Sequence, residues 1–377
     1  MLPPRLTILL IFSLHGFGIG SLFSRIADIQ TQLSLTEAAL GTALVGVPIG
    51  VILGAQLVTN LIERYGTRSL LLYSFAGSAL APVLTASATG TATLFVAFSC
   101  FGFTLASSNI TMNIEADRVE AASKARILNR SHGMWGVGFL VASLAATGMV
   151  YLGIAPLWHF LATAFATLIC TGTLIAGLKS SPPRGASRKG NRFALPSKPV
   201  LLILGFLASG VILEGVTRNW SVIYLRDAAG ARDDIATLAL SAFIATQTLG
   251  RFLADTWIDK AGPVKVARSL TVVTLAGLIL VVAGTIPIIA LIGFALIGFG
   301  VSTSYPQAIS AVAQLPGDRP SSENVAALTT VTTLMNFVVP PVFGFVATGY
   351  SLQTSFMLVL PLPVLAFFMA RYLRPKT

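Results

Sequence analysis

Residues 270–286 read LTVVTLAGLILVVAGTI, seventeen residues in a row without a charged side chain. Similar runs recur along the chain, in which 54% of the residues are hydrophobic and 10% are charged, whereas soluble domains carry roughly 25% charged residues. Inside a bilayer every backbone polar group must be hydrogen-bonded within the protein, which leaves α-helices or closed β-barrels. The run lacks the alternation of a barrel strand. The sequence therefore predicts an all-α membrane protein.

Twelve segments are long enough to cross a hydrocarbon core of about 30 Å. In chain order, the first to twelfth spans are predicted at residues 6–27, 38–62, 69–89, 91–116, 127–151, 157–178, 199–225, 234–258, 264–285, 287–313, 322–348 and 352–372. A stretch rich in proline, glycine, serine and basic residues separates the sixth span from the seventh and is typical of a solvated linker. The predicted domains are a six-helix bundle at 1–178, a cytoplasmic linker at 179–198 and a second six-helix bundle at 199–377.

The charge distribution predicts the orientation of the spans. The net charge is +11, but the basic residues lie at the ends of apolar spans, which disfavours nucleic-acid binding. Most of them fall in alternate connections, and cytoplasmic connections are the ones that carry excess lysine and arginine. We therefore predict a multi-pass protein of the bacterial inner membrane with both termini in the cytoplasm, in contact with the lipid bilayer on all sides.

The two halves of the sequence resemble each other at a nearly constant offset. Residues 61–66 read LIERYG and residues 257–262 read WIDKAG, an offset of 196. At the same offset, GFTLASSNI at 102–110 matches GFGVSTSYP at 298–306, and Gly54 matches Gly250. Duplicated halves are common in secondary transporters. The offset therefore predicts an internal structural repeat.

The repeated turn resembles the signature of the major facilitator superfamily, in which an acidic residue, a basic residue, any residue and a glycine follow the second and eighth helices. The two copies here are Glu63-Arg64-Tyr65-Gly66 and Asp259-Lys260-Ala261-Gly262. The first copy departs from the family pattern, which usually has glycine where Thr59 stands and aspartate where Glu63 stands. The resemblance implies two six-helix bundles that rock to give alternating access, with the first, fourth, seventh and tenth helices around a central cavity.

Two further stretches are similar to the sugar-permease branch of that superfamily that includes fucose permeases. One contains Met112-Asn113, Glu120 and Ser131-His132-Gly133, and the other contains Glu214-Gly215, Trp220-Ser221 and Tyr224-Leu225. A likeness to the permeases of rhizopine (inosamine) loci is also noted, without a motif of its own. These resemblances imply transport of a sugar, a cyclitol or an amino-cyclitol.

Ionisable side chains inside the membrane are costly and are functional candidates by default. Glu214 lies about 22 Å from the predicted cytoplasmic start of the seventh span, one helical turn before Arg218. It is interpreted either as half of a structural ion pair or as a carboxylate that binds substrate or a proton. His15, near the middle of the first span, is either a packed core residue or a second group for substrate or proton.

Polar residues on other spans are candidates for contacts with the solute. Asn109, Asn113 and Asp117 follow one another at every fourth residue and therefore share a face of the fourth span. Amides donate and accept hydrogen bonds, which suits the hydroxyl groups of a sugar or polyol, although bonds between helices would explain them as well. The other predicted substrate contacts are Tyr305, Gln307, Gln247, Asn336 and Trp220, the last of which is equally suited to anchoring at the membrane interface.

Charged residues at the predicted cytoplasmic helix ends suggest a gate. We predict that charge pairs among them close the cytoplasmic side when the outside is open. The gating candidates are Glu63, Arg64, Arg118, Asp259, Lys260 and Glu323.

No motif in the sequence indicates catalysis, a metal or another cofactor. The string GFGIGS at 16–21 lies in an apolar helix without a preceding strand, which excludes a phosphate-binding loop. The sequence thus predicts a monomeric secondary active transporter for a small polar solute, coupled to protons through Glu214 or His15. The alternatives are a drug or metabolite exporter of the same superfamily and a transport-inactive membrane receptor with the same fold.

Overall fold

The computed structural model describes residues 2–123, 127–176, 178, 195–284, 286–316 and 319–374. Within these ranges the backbone is helical almost throughout and contains no β-strand. The predicted all-α fold class is confirmed. Most of the predicted linker lies outside the described residues.

The first half of the chain forms five long helices that provide six spans. Their bounds are Pro4–Gln32, Glu37–Ala86, Thr91–Ser123, Leu128–Tyr151 and Pro156–Ala176. The second of these has 50 residues, about twice the length that a single crossing needs. It contains both the second and the third span, which meet at Gly66, where the backbone is not helical.

The second half forms six long helices, one for each remaining span. Their bounds are Lys198–Ala228, Asp233–Ala261, Pro263–Ala283, Pro287–Ala313, Ser321–Gly349 and Leu352–Leu373. In the described part of the chain, eleven helices are thus long and apolar enough to cross a membrane. Because one of them holds two spans, they account for the twelve predicted spans.

The helices group into two compact units. The first unit consists of Met1–Gly185 with Asp233–Ser241, and the second consists of Ala186–Arg232 with Ala242–Thr377. Each unit has its own core of buried apolar side chains, which includes Phe12, Leu71, Phe75, Met112 and Ala116 in the first unit and Ile203, Leu207, Ala308, Leu328 and Ala366 in the second. Packing of this kind, rather than the exclusion of water, holds helices together in lipid.

The predicted repeat has a structural counterpart in the way two spans cross in each unit. A Cβ atom added to Gly102, in the fourth span, would overlap the carbonyl oxygen of Val47 in the second span. A Cβ atom added to Gly298, in the tenth span, would overlap the carbonyl oxygen of Phe243 in the eighth. Both members of the second pair lie 196 residues after those of the first. The same backbone-to-backbone contact therefore occurs twice.

A second contact repeats at the same offset. An added Cβ atom at Gly54 would lie 2.6 Å from the carbonyl oxygen of Phe103, and one at Gly250 would lie 3.3 Å from that of Phe299. Small residues allow close approach of membrane helices. The matched glycines of the sequence repeat are thus the residues at which the second and fourth spans, and the eighth and tenth spans, touch.

Candidate functional site

A cluster of charged side chains lies in the second unit, within the seventh and eighth spans. Oε1 of Glu214 accepts a hydrogen bond from Nη2 of Arg218, one turn later on the same helix. Oε2 of Glu214 lies 3.8 Å from Nη2 of Arg251 in the eighth span. One carboxylate therefore faces two guanidinium groups. We call Glu214, Arg218 and Arg251 the arginine–glutamate cluster.

The cluster is deep in the membrane-spanning region but is not sealed off. Arg251 lies ten residues before the end of its helix at Ala261, which is a distance of about 15 Å along the axis. The side chains of Glu214, Arg218 and Arg251 are 23%, 24% and 28% exposed. The three side chains are therefore not fully enclosed by the protein.

Arg251 was missed by the sequence analysis. It follows Gly250, which was used for the repeat, and it is the sole basic residue between Asp234 and Ile258. The rule that ionisable residues inside a membrane are functional candidates applies to it as much as to Glu214. That rule could have identified Arg251 from the sequence, but only the structure shows which carboxylate Arg251 faces.

Gln247 lies one turn before Arg251 on the eighth span. Its side chain is 1% exposed, and within the described ranges its Nε2 atom has no hydrogen-bond partner. Residues four positions apart on a helix are neighbours on one face. The role predicted for Gln247 stays a prediction, and its unused Nε2 donor belongs to the same face of the eighth span as Arg251.

The tenth and eleventh spans approach the seventh span near Glu214. A Cβ atom added to Gly215 would lie 3.5 Å from Oδ1 of Asn336, and one added to Gly210, a turn before Glu214, would contact Ser304. The neighbour of Ser304, Tyr305, is 41% exposed. Asn336 and Tyr305, both predicted substrate contacts, therefore lie on spans that pack beside Glu214.

The other two predicted contacts in the second unit are buried. Gln307 donates a hydrogen bond from Nε2 to Oγ1 of Thr303 at 2.9 Å and is 6% exposed. Trp220 is fully buried and packs on Phe343 with 5.4 Å between ring centroids. A tryptophan that anchors a helix at the membrane interface would remain accessible, so this burial favours packing for Trp220.

In the first unit, His15 links three spans. Nε1 of Trp135 donates a hydrogen bond to Nδ1 of His15 at 3.1 Å, and Nε2 of His15 lies 2.9 Å from Oγ of Ser108. An indole nitrogen can only donate, so Nδ1 must accept and the ring proton belongs on Nε2, towards Ser108. The neutral ring is 3% exposed and has both nitrogens engaged.

The polar face of the fourth span contains a pair of amides. Nδ2 of Asn113 donates to Oδ1 of Asn109 at 3.2 Å and to the backbone oxygen of Asn109 at 2.8 Å. Asn109 is exposed and Asn113 is half-buried, as is Asp117. Exposed amides at membrane depth belong to a face that meets protein or water, so these side chains remain candidates for contacts with hydroxyl groups.

The gating candidates differ in their surroundings within each unit. Nη1 of Arg118 donates to Oε1 of Glu115 at 2.7 Å and to Oγ1 of Thr67, beside the first repeated turn, at 2.6 Å. Glu115, which is 4% exposed, was not predicted, although its spacing of three residues from Arg118 could have indicated it. Oε2 of Glu323 lies 3.4 Å from Nε of Arg319.

The charged residues of the repeated turns themselves are exposed. They are Glu63, Arg64, Asp259 and Lys260. The guanidinium of Arg64 lies over the ring of Tyr65, 5.3 Å from its centroid. Exposed charges of this kind stabilise a fold little, so the charge pairs predicted to close a gate stay a prediction.

Comparison with known proteins supports the resemblance noted in the sequence. The family model described as Major Facilitator Superfamily matches residues 8–231 and 219–377. An uncharacterised MFS-type transporter of Yersinia pestis is 28% identical over 348 residues, which are 92% of this chain and 90% of the relative. Membrane protein MosC of Rhizobium meliloti is 24% identical over 364 residues, 94% of this chain and 86% of the relative.

Solved structures share the fold along the entire chain. A point variant of the nucleoside transporter NupG has a TM-score of 0.80 and 14% identity, with 99% of this chain and all of that one covered. A D-xylose–proton symporter has a TM-score of 0.75 and 15% identity, with both chains fully covered. The resemblance read from the repeated turns is thus confirmed, and the chain belongs to the Major Facilitator Superfamily of membrane transporters.

Proposed function

We propose that this protein is a secondary active transporter that carries a small polar solute by alternating access, with the arginine–glutamate cluster as part of its solute site. The observation that carries the proposal is that Glu214 faces Arg218 and Arg251 within the membrane while all three side chains remain partly exposed. Each charged residue at the centre of a membrane helix costs about 2.5–3.5 kcal/mol on insertion scales. Three such residues together favour a function that needs charge.

Glu214 is suited to coupling solute movement to protons. When ionised, it compensates part of the positive charge of Arg218 and Arg251; when protonated, it no longer does so. Exchange between these two forms would let solute binding and proton binding depend on each other. We prefer Glu214 to His15 for this role, because both nitrogens of His15 are already used by Trp135 and Ser108.

Hydroxylated molecules are the proposed substrate class, namely a sugar, a cyclitol or a derivative of one. The amide pair of exposed Asn109 and half-buried Asn113, and the amide of Asn336 beside Gly215, supply donors and acceptors for hydroxyl groups. The two solved neighbours, a nucleoside transporter and a D-xylose–proton symporter, fit this class. We further propose a monomer in the bacterial inner membrane with both termini in the cytoplasm.

Uptake into proteoliposomes tests the coupling. With a pH gradient imposed, Glu214→Gln should lose gradient-driven accumulation of a transported sugar or cyclitol but keep exchange of labelled for unlabelled solute, because the amide retains the shape without the titrating proton. Asp227→Asn is the matched control, because Asp227 lies on the same helix region with a 39% exposed side chain paired to Arg226. Accumulation by Glu214→Gln equal to that of the control, with a lowered melting temperature, would make Glu214 a structural residue.

A further inference from the structure

We propose that the transported solute carries an anionic oxygen group, a carboxylate or a phosphate ester, and that Arg251 and Gln247 bind it. The inference rests on the proposed function, since it takes the arginine–glutamate cluster to be the solute site. It adds the charge of the substrate, which neither the resemblance nor the comparisons indicate.

The charge of the cluster favours an anionic solute. It contains two guanidinium groups and one carboxylate, so it carries an excess positive charge inside the membrane. A charge without a partner in such surroundings is strongly unfavourable. Binding of a carboxylate would bring the cluster to neutrality, and binding of a phosphate monoester, with a charge of about −1.5 to −2 at pH 7, would more than offset the excess. A solute with an ammonium group would instead double it. The cluster therefore disfavours an amino-cyclitol and favours an acid.

The two arginines share Glu214 unequally. Arg218 donates a direct hydrogen bond to Oε1, but Nη2 of Arg251 is 3.8 Å from Oε2, which is beyond hydrogen-bond range. A guanidinium has five N–H donors. Among the residues that the structure describes, none accepts a hydrogen bond from Arg251, so its donors are available to a ligand.

The eighth span carries a second donor on the same face as Arg251. Gln247 lies one turn before Arg251, and its Nε2 atom is buried without an acceptor in the described part of the chain. Residues four positions apart share a helix face, so the guanidinium and the amide can both donate N–H groups to one ligand on that face. Carboxylates and phosphates, with two or more acceptor oxygens, match such an array, and arginine binds them in a bidentate manner.

Arg251 and Gln247 differ in exposure. Arg251 is 28% exposed, while Gln247 is 1% exposed. An anionic group can therefore meet the guanidinium of Arg251 directly. On binding, it would take the place of Glu214 Oε2 at Arg251 and leave Glu214 with Arg218.

Binding to the purified full-length protein in detergent tests the inference with matched pairs of probes. The pairs are D-glucose with D-glucuronate and uridine with uridine monophosphate, at constant ionic strength. We expect the acidic member of a pair to bind at least tenfold more tightly. Arg251→Gln should remove that preference by weakening the binding of the acidic member at least tenfold more than that of the neutral member. Lys265→Gln, which removes an exposed positive charge from the same unit, should change neither.

Gln247→Glu provides a second test that does not require the right solute. The variant places a carboxylate of nearly the same shape beside Arg251, so we expect a raised melting temperature together with loss of binding to acidic probes. A raised melting temperature supports the inference even if none of the four probes is a substrate. The inference is overturned if the melting temperature is lowered or unchanged and the variant either still prefers acidic probes or binds no probe.

The remaining outcomes separate this inference from the proposed function. Equal affinity for neutral and acidic members, or equal weakening of both by Arg251→Gln, overturns the anionic substrate. If proteoliposomes then transport the neutral probe, the proposed transport function is supported and only the anionic substrate is wrong. Arg251-dependent binding of an acid that is never transported would support the anion site and contradict the transport function.

Discussion

Gly66 and Gly262 adopt the same backbone conformation, with φ 76° and ψ 158° at Gly66 and φ 80° and ψ 155° at Gly262. The two residues lie 196 positions apart, at the ends of the two turns whose sequences repeat. This combination of dihedral angles is essentially restricted to glycine. The backbone conformation of the repeated turn therefore favours glycine at this position in both halves.

We predict that Gly66→Ala and Gly262→Ala each lower the free energy of unfolding by about 1–3 kcal/mol, the usual cost of such backbone strain. An added Cβ atom would have nothing within 4 Å at either position, so crowding does not contribute. The melting temperature of the purified variants measures the effect. Gly148→Ala is the control, because Gly148 is helical and also has nothing within 4 Å. The prediction is wrong if all three variants melt together.

Two buried histidines should respond in opposite ways to replacement by phenylalanine. His15→Phe leaves the N–H of Trp135 and the hydroxyl of Ser108 without their partner and should cost about 1–3 kcal/mol. His159 is 1% exposed, and both of its ring nitrogens lack a partner within the described ranges, so His159→Phe should be neutral or stabilising. Thermal unfolding of the two variants checks this contrast.

The His15→Phe variant also tests whether His15 couples solute transport to protons. If His15 is structural, the folded fraction of His15→Phe should accumulate solute with the same dependence on the pH gradient as the wild-type protein. Loss of that dependence in folded protein would return His15 to the proton pathway and weaken the assignment to Glu214.

Glu115 and Arg118 should be coupled energetically. Their side chains are 5% and 13% exposed and are joined at 2.7 Å, so removal of one partner strands the other in a buried position. We expect Glu115→Gln to lower the free energy of unfolding by about 3 kcal/mol, while the double variant with Arg118→Gln should lose much less than the sum of the single changes. Glu63→Gln, at an exposed position, serves as control. Additive losses in this double-mutant cycle would show that the pair does not interact as described.

The repeated helix crossings should be equally intolerant of a methyl group. Gly102→Ala and Gly298→Ala would drive a Cβ atom into the carbonyl oxygens of Val47 and Phe243, and backbone atoms cannot move aside as side chains do. We expect a strong reduction in the yield of monodisperse protein for both variants on size-exclusion chromatography. Normal yield of either one would mean that the helices can separate at that point.

Local features were the ones that could be predicted from the sequence. The offset of 196 placed Gly66 with Gly262, and the spacing of four residues placed Arg218 beside Glu214. Both depend only on helix periodicity or on direct comparison of the halves. The contact between Glu214 and Arg251 depends instead on the rotation and depth of two helices relative to each other, which no short pattern encodes.

The same reason explains what was missed around His15. Its partners, Ser108 and Trp135, lie 93 and 120 residues away, and their identity follows only from how the first, fourth and fifth spans pack. Glu115 was missed for a different reason. The fourth span was predicted to end at residue 116, but the helix continues to Ser123, so an acid that appeared to be terminal is in fact buried.

The contacts of Gly102 with Val47 and of Gly298 with Phe243 also limit how the protein can deform. Helices that touch through side chains can slide, because side chains change rotamer. Helices that touch through backbone atoms cannot slide in this way, because their backbones cannot rearrange. The second and fourth spans should therefore move together as one rigid body. The eighth and tenth spans should do the same. Whatever bending transport requires must be taken up by the spans that do not belong to these pairs.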